Sequence, residues 1–288
     1  MTSKYDPAYI RDYFERYGER EWARLDTDPT GKVSFHLHRW HLERYIKPGD
    51  NVLEVGAGPG RFTIELARLG AKITIGDISP AQLELNRRYV QEAGQEQSVT
   101  AREVLDIVDL SRFPSESYDA VVCYGGPLSY VFDRADDALS DMLRVTKPGG
   151  FLLLSVMSLL GSTRALLPGV LALSRQYGLD LVRKVNSTGD LHGDTAVTEH
   201  LCHMYRWSEL EALLKRHAGA IVAASASNFL SIDNEDALRE VESDPVAWEA
   251  FLQWEVDFCR EPGALDGGTH MIAVMQRGQT TVILNSKF

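Results

Sequence analysis

The chain has 288 residues and 44% apolar content, enough for one large domain or a core with a covering insertion. Thirty basic against forty-one acidic residues leave a net charge of −11, which repels phosphate backbones and anionic lipid and argues against a nucleic-acid partner. No apolar run is long enough to span a bilayer, and Met1-Thr2-Ser3-Lys4-Tyr5-Asp6 lacks the apolar core of a secretory signal. Cys123, Cys202 and Cys259 are too widely spaced for a disulfide framework or a zinc knuckle, so the expectation is a cytoplasmic protein with reduced thiols and no membrane contact.

Ahead of the core, residues 1–48 read as a helical segment, with Ile10, Tyr13, Phe14 and Tyr17 at helical spacing. His36, His38, Arg39 and His41 follow at offsets that spread them around a helix and argue against a shared ligand. A domain over 49–277 then opens with a strand at 51–55, a glycine turn and a helix over 61–69 carrying Phe62, Leu66 and Leu69. Strands at 72–76, 99–104, 118–124 and 151–156 alternate with helices over 80–93 and 135–145. Alternating elements with continuously apolar strands predict an α/β fold, a doubly wound parallel sheet with helices on both faces.

Regularity breaks at about 158–206, before a helix over 208–217 capped by Ser208, and again at 228–268. Both insertions follow strands placed parallel to the first. Both are therefore expected to leave from the carboxyl edge of the sheet and to roof a ligand site there. Within the second, Val246, Phe251, Trp254 and Phe258 are expected to form the buried face of a lid helix begun by Pro245. A last strand is expected at 270–276, then a loose polar tail over 278–288.

The chemistry is concentrated in Val52-Leu53-Glu54-Val55-Gly56-Ala57-Gly58-Pro59-Gly60. Gly56, Gly58 and Gly60 permit a turn closed to residues carrying a Cβ, and the helix that follows offers unpaired N–H groups to a nucleoside ligand. The order E-x-G-x-G-x-G differs from the dinucleotide fingerprint G-x-G-x-x-G, which would put a small residue where this chain has Arg61. Glu54 at the strand end would repel a pyrophosphate but suits a ligand with an ammonium group and a sulfonium centre. Asp77, about twenty residues beyond the glycines, is placed to accept hydrogen bonds from both ribose hydroxyls; capping the Pro80 helix is its other reading.

With these motifs, residues 50–157 resemble the class I S-adenosylmethionine-dependent methyltransferases. V-L-E-V-G-A-G-P-G looks like the family's glycine motif and G-D-I-S at 76–79 like its acidic second-strand end. L-D-I at 105–107, F-P-S-E-S-Y-D-A-V-V-C at 113–123 and L-R-V-T-K-P-G-G-F-L-L-L-S at 143–155 resemble its later motifs. The nearest group is the bacterial small-molecule branch, akin to ubiquinone-type C-methyltransferases and glycine-type N-methyltransferases.

The resemblance implies a seven-stranded, mostly parallel Rossmann-like sheet, S-adenosylmethionine as cofactor, and methyl transfer to a small-molecule acceptor by in-line displacement. It implies that Asp106, or Asp109 in a shifted alignment, meets the adenine amino group between Ile78 and Ile107, and that Cys123 and Tyr124, with Gly125, border the methionine portion; a surface turn carboxylate is the other reading of Asp106, and a small core residue that of Cys123. Tyr13 and Tyr17 resemble tyrosines that close over the cofactor in small-molecule members; packing against the sheet is the alternative. His203, in H-M-Y-R-W-S, reads as a general base or a hydrogen-bonding group of the substrate pocket, with a structural histidine as the alternative. His200, Cys202 and His203 lack further ligands at suitable spacing, so no metal is expected. A nicotinamide-dependent oxidoreductase and a non-catalytic cofactor-binding partner subunit are the competing readings. The acceptor atom and the oligomeric state are not encoded.

Overall fold

Seven strands form the central sheet: β1 (Asn51–Val55), β2 (Lys72–Asp77), β3 (Val99–Val104), β4 (Tyr118–Cys123), β5 (Thr146–Met157), β6 (Gly219–Ala226) and β7 (His270–Arg277). Their order is β3-β2-β1-β4-β5-β7-β6 in this computed structural model, which describes residues 3–23 and 25–278. Apart from Gly278, the tail expected over 278–288 lies outside the described residues. β1 takes the centre because Val52, Leu53 and Val55 bury on both faces, and it pairs parallel with β2 and β4. β7 runs antiparallel between β5 and β6, which leaves β6 parallel to β5.

The pleat assigns alternate residues of each strand to two cores. On one face, Leu53, Val121 and Leu152 meet Leu139 and Met142 of α5 (Ala135–Val145). On the other, Val52, Ile73 and Leu153 meet Leu37 of α2 (Pro29–Tyr45) and Leu66 of α3 (Arg61–Arg68). α1 (Pro7–Tyr17) starts from Asp6, whose carboxylate accepts from the N–H groups of Ala8 and Tyr9. It packs beside α4 (Pro80–Glu92), which is capped by Ser79.

His38 and His41 are interior residues of α2, and His41 is bonded to Ser225 Oγ at 2.9 Å. Burial, helped by the neighbouring charges, pushes the His41 pKa down to about 3.

The two insertions part company. The first continues β5 into three short helices, α6 (Leu159–Ala165), α7 (Leu167–Tyr177) and α8 (Leu179–Thr188), and a small ladder pairing Asp190–Leu191 with Cys202–His203. A helix over Trp207–Lys215 follows, and its N-cap position falls on Arg206, not Ser208. The second insertion forms α10 (Glu235–Glu242) and α11 (Pro245–Cys259), taking α9 as the Trp207–Lys215 helix. These pack on α2, and no residue of 158–206 or 228–268 lines the cleft at the carboxyl edge of β1, so neither insertion forms the roof expected of it.

The buried face of α11 is only partly the expected one: Phe251 packs against the core, and the other three residues do not. Leu252, Glu255, Val256 and Cys259 face inward, whereas Val246 and Trp254 are 80% and 63% exposed and Phe258 is exposed too. The cause is polar: the fully buried Glu255 carboxylate accepts the backbone N–H groups of Phe229, Leu230 and Ser231, the last at 2.8 Å. That clamp sets the rotation of the helix about its own axis. Replacing Glu255 with Ala orphans three backbone donors, one buried and two part-buried, and urea unfolding is expected to show a loss of about 3 kcal/mol. Unchanged stability would remove the clamp as the cause.

Candidate functional site

The carboxyl ends of β1, β2 and β4 open onto a cleft with about 810 Å³ of non-protein space. Its floor is the 56–59 loop, Asp77-Ile78, Asp106-Ile107 and Tyr124-Gly125; its roof is Tyr5, Ile10, Phe14 and Glu21 from the N-terminal segment. A cleft of mixed lining at the carboxyl edge of a parallel sheet is where such folds hold ligands.

The glycine loop is shaped by two different demands. Gly56 has φ +66°, and a Cβ there would stand 2.3 Å from Pro127. Gly58, at φ +52°, would project a Cβ toward the cleft, with nothing nearer than Glu21 Cγ at 3.7 Å. One glycine therefore closes the loop against its neighbour, and the other leaves the cleft wall bare.

Asp77 ties this loop to the following helix. Its Oδ2 accepts the Gly58 N–H and its Oδ1 the Ser79 N–H, both at 2.8 Å. Ser79, not Asp77, caps α4 by accepting from the Gln82 N–H. Each carboxylate oxygen retains acceptor capacity toward the cleft. Burial raises the Asp77 pKa to about 6 against these two hydrogen bonds, with Glu21 adding to the rise.

Among the described residues, three carboxylates, Glu21, Asp77 and Asp106, line the cleft, and the cation beside them is Arg61. Arg61 is committed elsewhere: it pairs with Asp26 at 3.2 Å, donates to the Trp22 carbonyl and lies 3.9 Å from the Trp22 ring centroid. Among the described lining residues a diphosphate would meet more acid than base, whereas a cation is matched.

Several residues singled out in the sequence do not line the cleft. Glu54 shares the pleat face of Val52, so its side chain runs under α3 and accepts from Thr63 Oγ1 at 2.5 Å. Thr63 in turn accepts from Asn86, and Asn86 accepts from Arg102. A Cβ on Gly60 would stand 2.9 Å from Asn86 Nδ2, so Gly60 serves this same junction of α3 with α4. Burial, with the Asp77 charge in addition, raises the Glu54 pKa to about 8 despite the Thr63 hydrogen bond.

Cys123 points into the core with Val121, and burial pushes its thiol up to about 12; the next residue, Tyr124, takes the other face and reaches the cleft. On α1 the cleft-facing pair is Ile10 and Phe14. Tyr13 and Tyr17 stack on each other one position round, and Tyr13 also stacks on His200, with ring centroids 5.7 Å apart in both cases. Ile78, Asp106, Ile107 and Tyr124 line the cleft together with Gly56, Gly58 and Asp77.

The base expected at His203 is corrected. Both its ring nitrogens are engaged, Nδ1 with Asp190 at 2.7 Å and Nε2 with Glu209 at 2.9 Å, away from the cleft. Burial opposes a charge there, but the two carboxylates outweigh it and raise the pKa to about 9. A histidine already protonated at neutral pH cannot accept a proton. Among the described residues no group of three or more His, Cys, Asp and Glu side chains is placed to hold a metal ion.

Sequence reasoning missed Tyr5, Glu21, Gln82 and Tyr130. Tyr5 is hydrogen-bonded to Asp106, and burial followed by that carboxylate's charge raises its pKa. Gln82 donates to the carbonyls of Phe14 at 2.9 Å and Gly18 at 3.2 Å, fastening the end of α1 to α4. The i, i+4 pair Ile10 and Phe14 was a readable signal for the roof; Glu21 and Tyr130 sit in helical turns of four residues, too short to show a period.

Residues 52–150 match the family described as Methyltransferase domain. A demethylmenaquinone methyltransferase of Tropheryma whipplei (strain Twist) is 32% identical over 218 residues, covering 72% of this chain and 80% of that protein. An S-adenosyl-L-methionine-dependent Diels-Alderase iccD of Talaromyces variabilis is 35% identical over 139 residues, 48% of this chain and 46% of that protein. Several curated relatives are matched over only about half their length, 46% to 56%. The crystal structure of magnesium protoporphyrin IX methyltransferase (ChlM) from Synechocystis PCC 6803 with bound SAM superposes with a TM-score of 0.57 at 15% identity. It covers 94% of this chain and 97% of that one, and the likeness is one of fold. The chain belongs to the S-adenosylmethionine-dependent methyltransferase family.

Two substitutions test the placement of the buried groups. A histidine with a raised pKa stabilises fully below its unfolded value of 6.5 and loses that contribution as pH rises through about 9. His203→Gln is therefore expected to lose about 2 kcal/mol at pH 6 and much less at pH 10, by urea denaturation, with cofactor affinity unchanged. For Glu54 the raised pKa makes folding less favourable as pH rises from its unfolded value of 4.5 to about 8. Relative to Glu54→Gln, the natural protein should lose up to about 1.4 kcal/mol per pH unit in that window. Parallel stability–pH curves for the two proteins would place Glu54 outside the core.

Proposed function

We propose that the protein binds S-adenosylmethionine in the cleft and transfers its methyl group to a small-molecule acceptor. The observation that carries this reading is Asp77, a buried carboxylate at the end of β2, fixed by two backbone N–H groups and facing a cleft with two further carboxylates. The residues present fit the cofactor on two counts. The acidic lining matches a cation, and the bare backbone at Gly58 leaves room where any Cβ would project.

Asp77 would hold the ribose hydroxyls, Ile78 and Ile107 the two sides of the adenine, and Asp106 its amino group. The backbone at 56–58 and 124–125 would border the methionine portion. Bound there, the cofactor supplies a methyl carbon activated by positive sulfur. What the chain adds is alignment and exclusion of water, for which no strong acid is needed. Tyr5, Ile10 and Phe14 cover the cleft from above, and Gln82 holds that cover in place.

Calorimetric titration with S-adenosylmethionine and with NAD, followed by radiolabelled methyl transfer to candidate metabolites, separates the readings. Saturable NAD binding without adenosylmethionine binding would favour an oxidoreductase, and cofactor binding without turnover on any acceptor a silent partner subunit. Asp77→Ala is expected to weaken the cofactor roughly 10- to 100-fold without unfolding the chain, the loss of hydrogen bonds to a charged acceptor. Because ionised Asp77 is the better acceptor, affinity in the natural protein should fall about tenfold between pH 7 and pH 5. Flat affinity across that range would mean the ribose contact lies elsewhere.

A further inference from the structure

A second hollow lies beside the cleft, under the first insertion. The apolar faces of α7 and α8, including Val170, Leu173, Val182 and Val185, turn toward it, and it contains or opens onto about 1370 Å³ of non-protein space. Neither helix has a fully buried residue, so two amphipathic helices meet over a space instead of over a packed core. In a chain with a net charge of −11, that much aliphatic surface left unfilled by the described residues is unusual.

The two cavities share one wall. Tyr130 lines the cleft, His200 lines the hollow, and Tyr130 Oη is hydrogen-bonded to His200 Nε2 at 2.9 Å. The same small cluster contains Ile10 from the roof of the cleft and Met204 from the hollow. Apart from this pair, the hollow's polar groups among the described residues are a few hydroxyls and an amide, and no described Asp, Glu, Lys or Arg lines it.

We infer that the hollow is the acceptor site and that it takes an uncharged molecule with an aliphatic body and a single polar end, such as a hydroxyl, set against the Tyr130–His200 pair. This rests on the methyl-transfer reading for its purpose, but not for its binding chemistry. Burying a charge among these aliphatic side chains would be strongly unfavourable, whereas each buried methylene strengthens binding by about a factor of four. The polar end falls at the shared wall because Tyr130 and His200 carry the donor and acceptor groups nearest the cleft. Displacing that pair would open the path along which an acceptor atom meets the methyl group.

The test is calorimetry on the full chain saturated with S-adenosylhomocysteine, using phenol, 4-octylphenol and 4-octylbenzenesulfonate as probes. 4-Octylphenol is expected to bind one to one, at least about a hundredfold tighter than phenol and at least about tenfold tighter than the sulfonate. Val182→Asp should weaken it at least tenfold while S-adenosylhomocysteine affinity stays unchanged. Should that variant lose S-adenosylhomocysteine binding through misfolding, the isosteric Val185→Thr takes its place, with an expected loss of about three- to tenfold.

Octylphenol binding no tighter than phenol, or unaffected by both substitutions, overturns the inference. So does saturable binding of the chain to phosphatidylcholine vesicles that Val182→Asp abolishes while octylphenol affinity is retained, which would make this face a lipid contact. Octylphenol binding that survives a failure to bind S-adenosylmethionine would uphold the hollow and sink the cofactor reading. The reverse pattern would sink the hollow alone.

Discussion

The arrangement of the cleft hangs on one buried carboxylate. Asp77 takes one hydrogen bond from the glycine loop and one from the residue that caps α4, so a single side chain joins the turn after β1 to the turn after β2. Without it the loop would have no partner for the Gly58 N–H, and the two β-α turns would be free to separate. The burial that makes the clamp strong also makes its charge unfavourable, which is why the Asp77 pKa rises to about 6. A cationic ligand relieves that strain. The clamp and the proposed recognition are therefore one interaction seen from two sides.

A second polar chain, out of sight of the cleft, keeps the helices behind the loop in register. Glu54, Thr63, Asn86 and Arg102 run from β1 through α3 and α4 to β3, and Arg102 ends in two 2.7 Å bonds to Glu96. It explains why an acidic residue stands in an otherwise apolar central strand: a proton on Glu54 near neutral pH lets it sit in the core as a hydrogen-bonding group and not as a bare charge. The motif E-x-G-x-G-x-G thus reads as two devices. Gly56 and Gly58 shape the cleft, whereas Glu54 and Gly60 serve the packing beneath it.

What the sequence made legible was local. Strands β1 to β5 could be read because each is a short apolar run next to its own turn, and Asp77, Ile78, Asp106 and Ile107 because they sit where those strands end. Facing was not legible. Glu54 and Cys123 lie within strands whose alternation decides which side they take, and the choice depends on which neighbours bury them. Tyr13 and Phe14 differ by one step of a helix, and only docking against α4 and residue 200 selects between them. On α11 the aromatic stripe looked like the buried one on hydrophobicity alone. A buried carboxylate satisfied by three backbone donors in a distant loop outweighed it. Long-range polar satisfaction leaves no periodic trace in a sequence.

The two histidines of the ladder region show how such satisfaction divides function from scaffold. His203 and His200 are three residues apart, yet they engage different partners beside the Asp190–Leu191/Cys202–His203 ladder. The first is held between Asp190 and Glu209, a charged bridge that pins the ladder to the helix over Trp207–Lys215. The second makes its contact with Tyr130, at the boundary between an acidic cleft and an aliphatic hollow. A cationic nucleoside and an uncharged acceptor need opposite surroundings, and a protein that must bring them within bonding distance has to change its lining over a few ångströms. The Tyr130–His200 pair is where this chain makes that change, because a phenol and an imidazole each offer an aromatic face to the aliphatic side and a polar atom to the other.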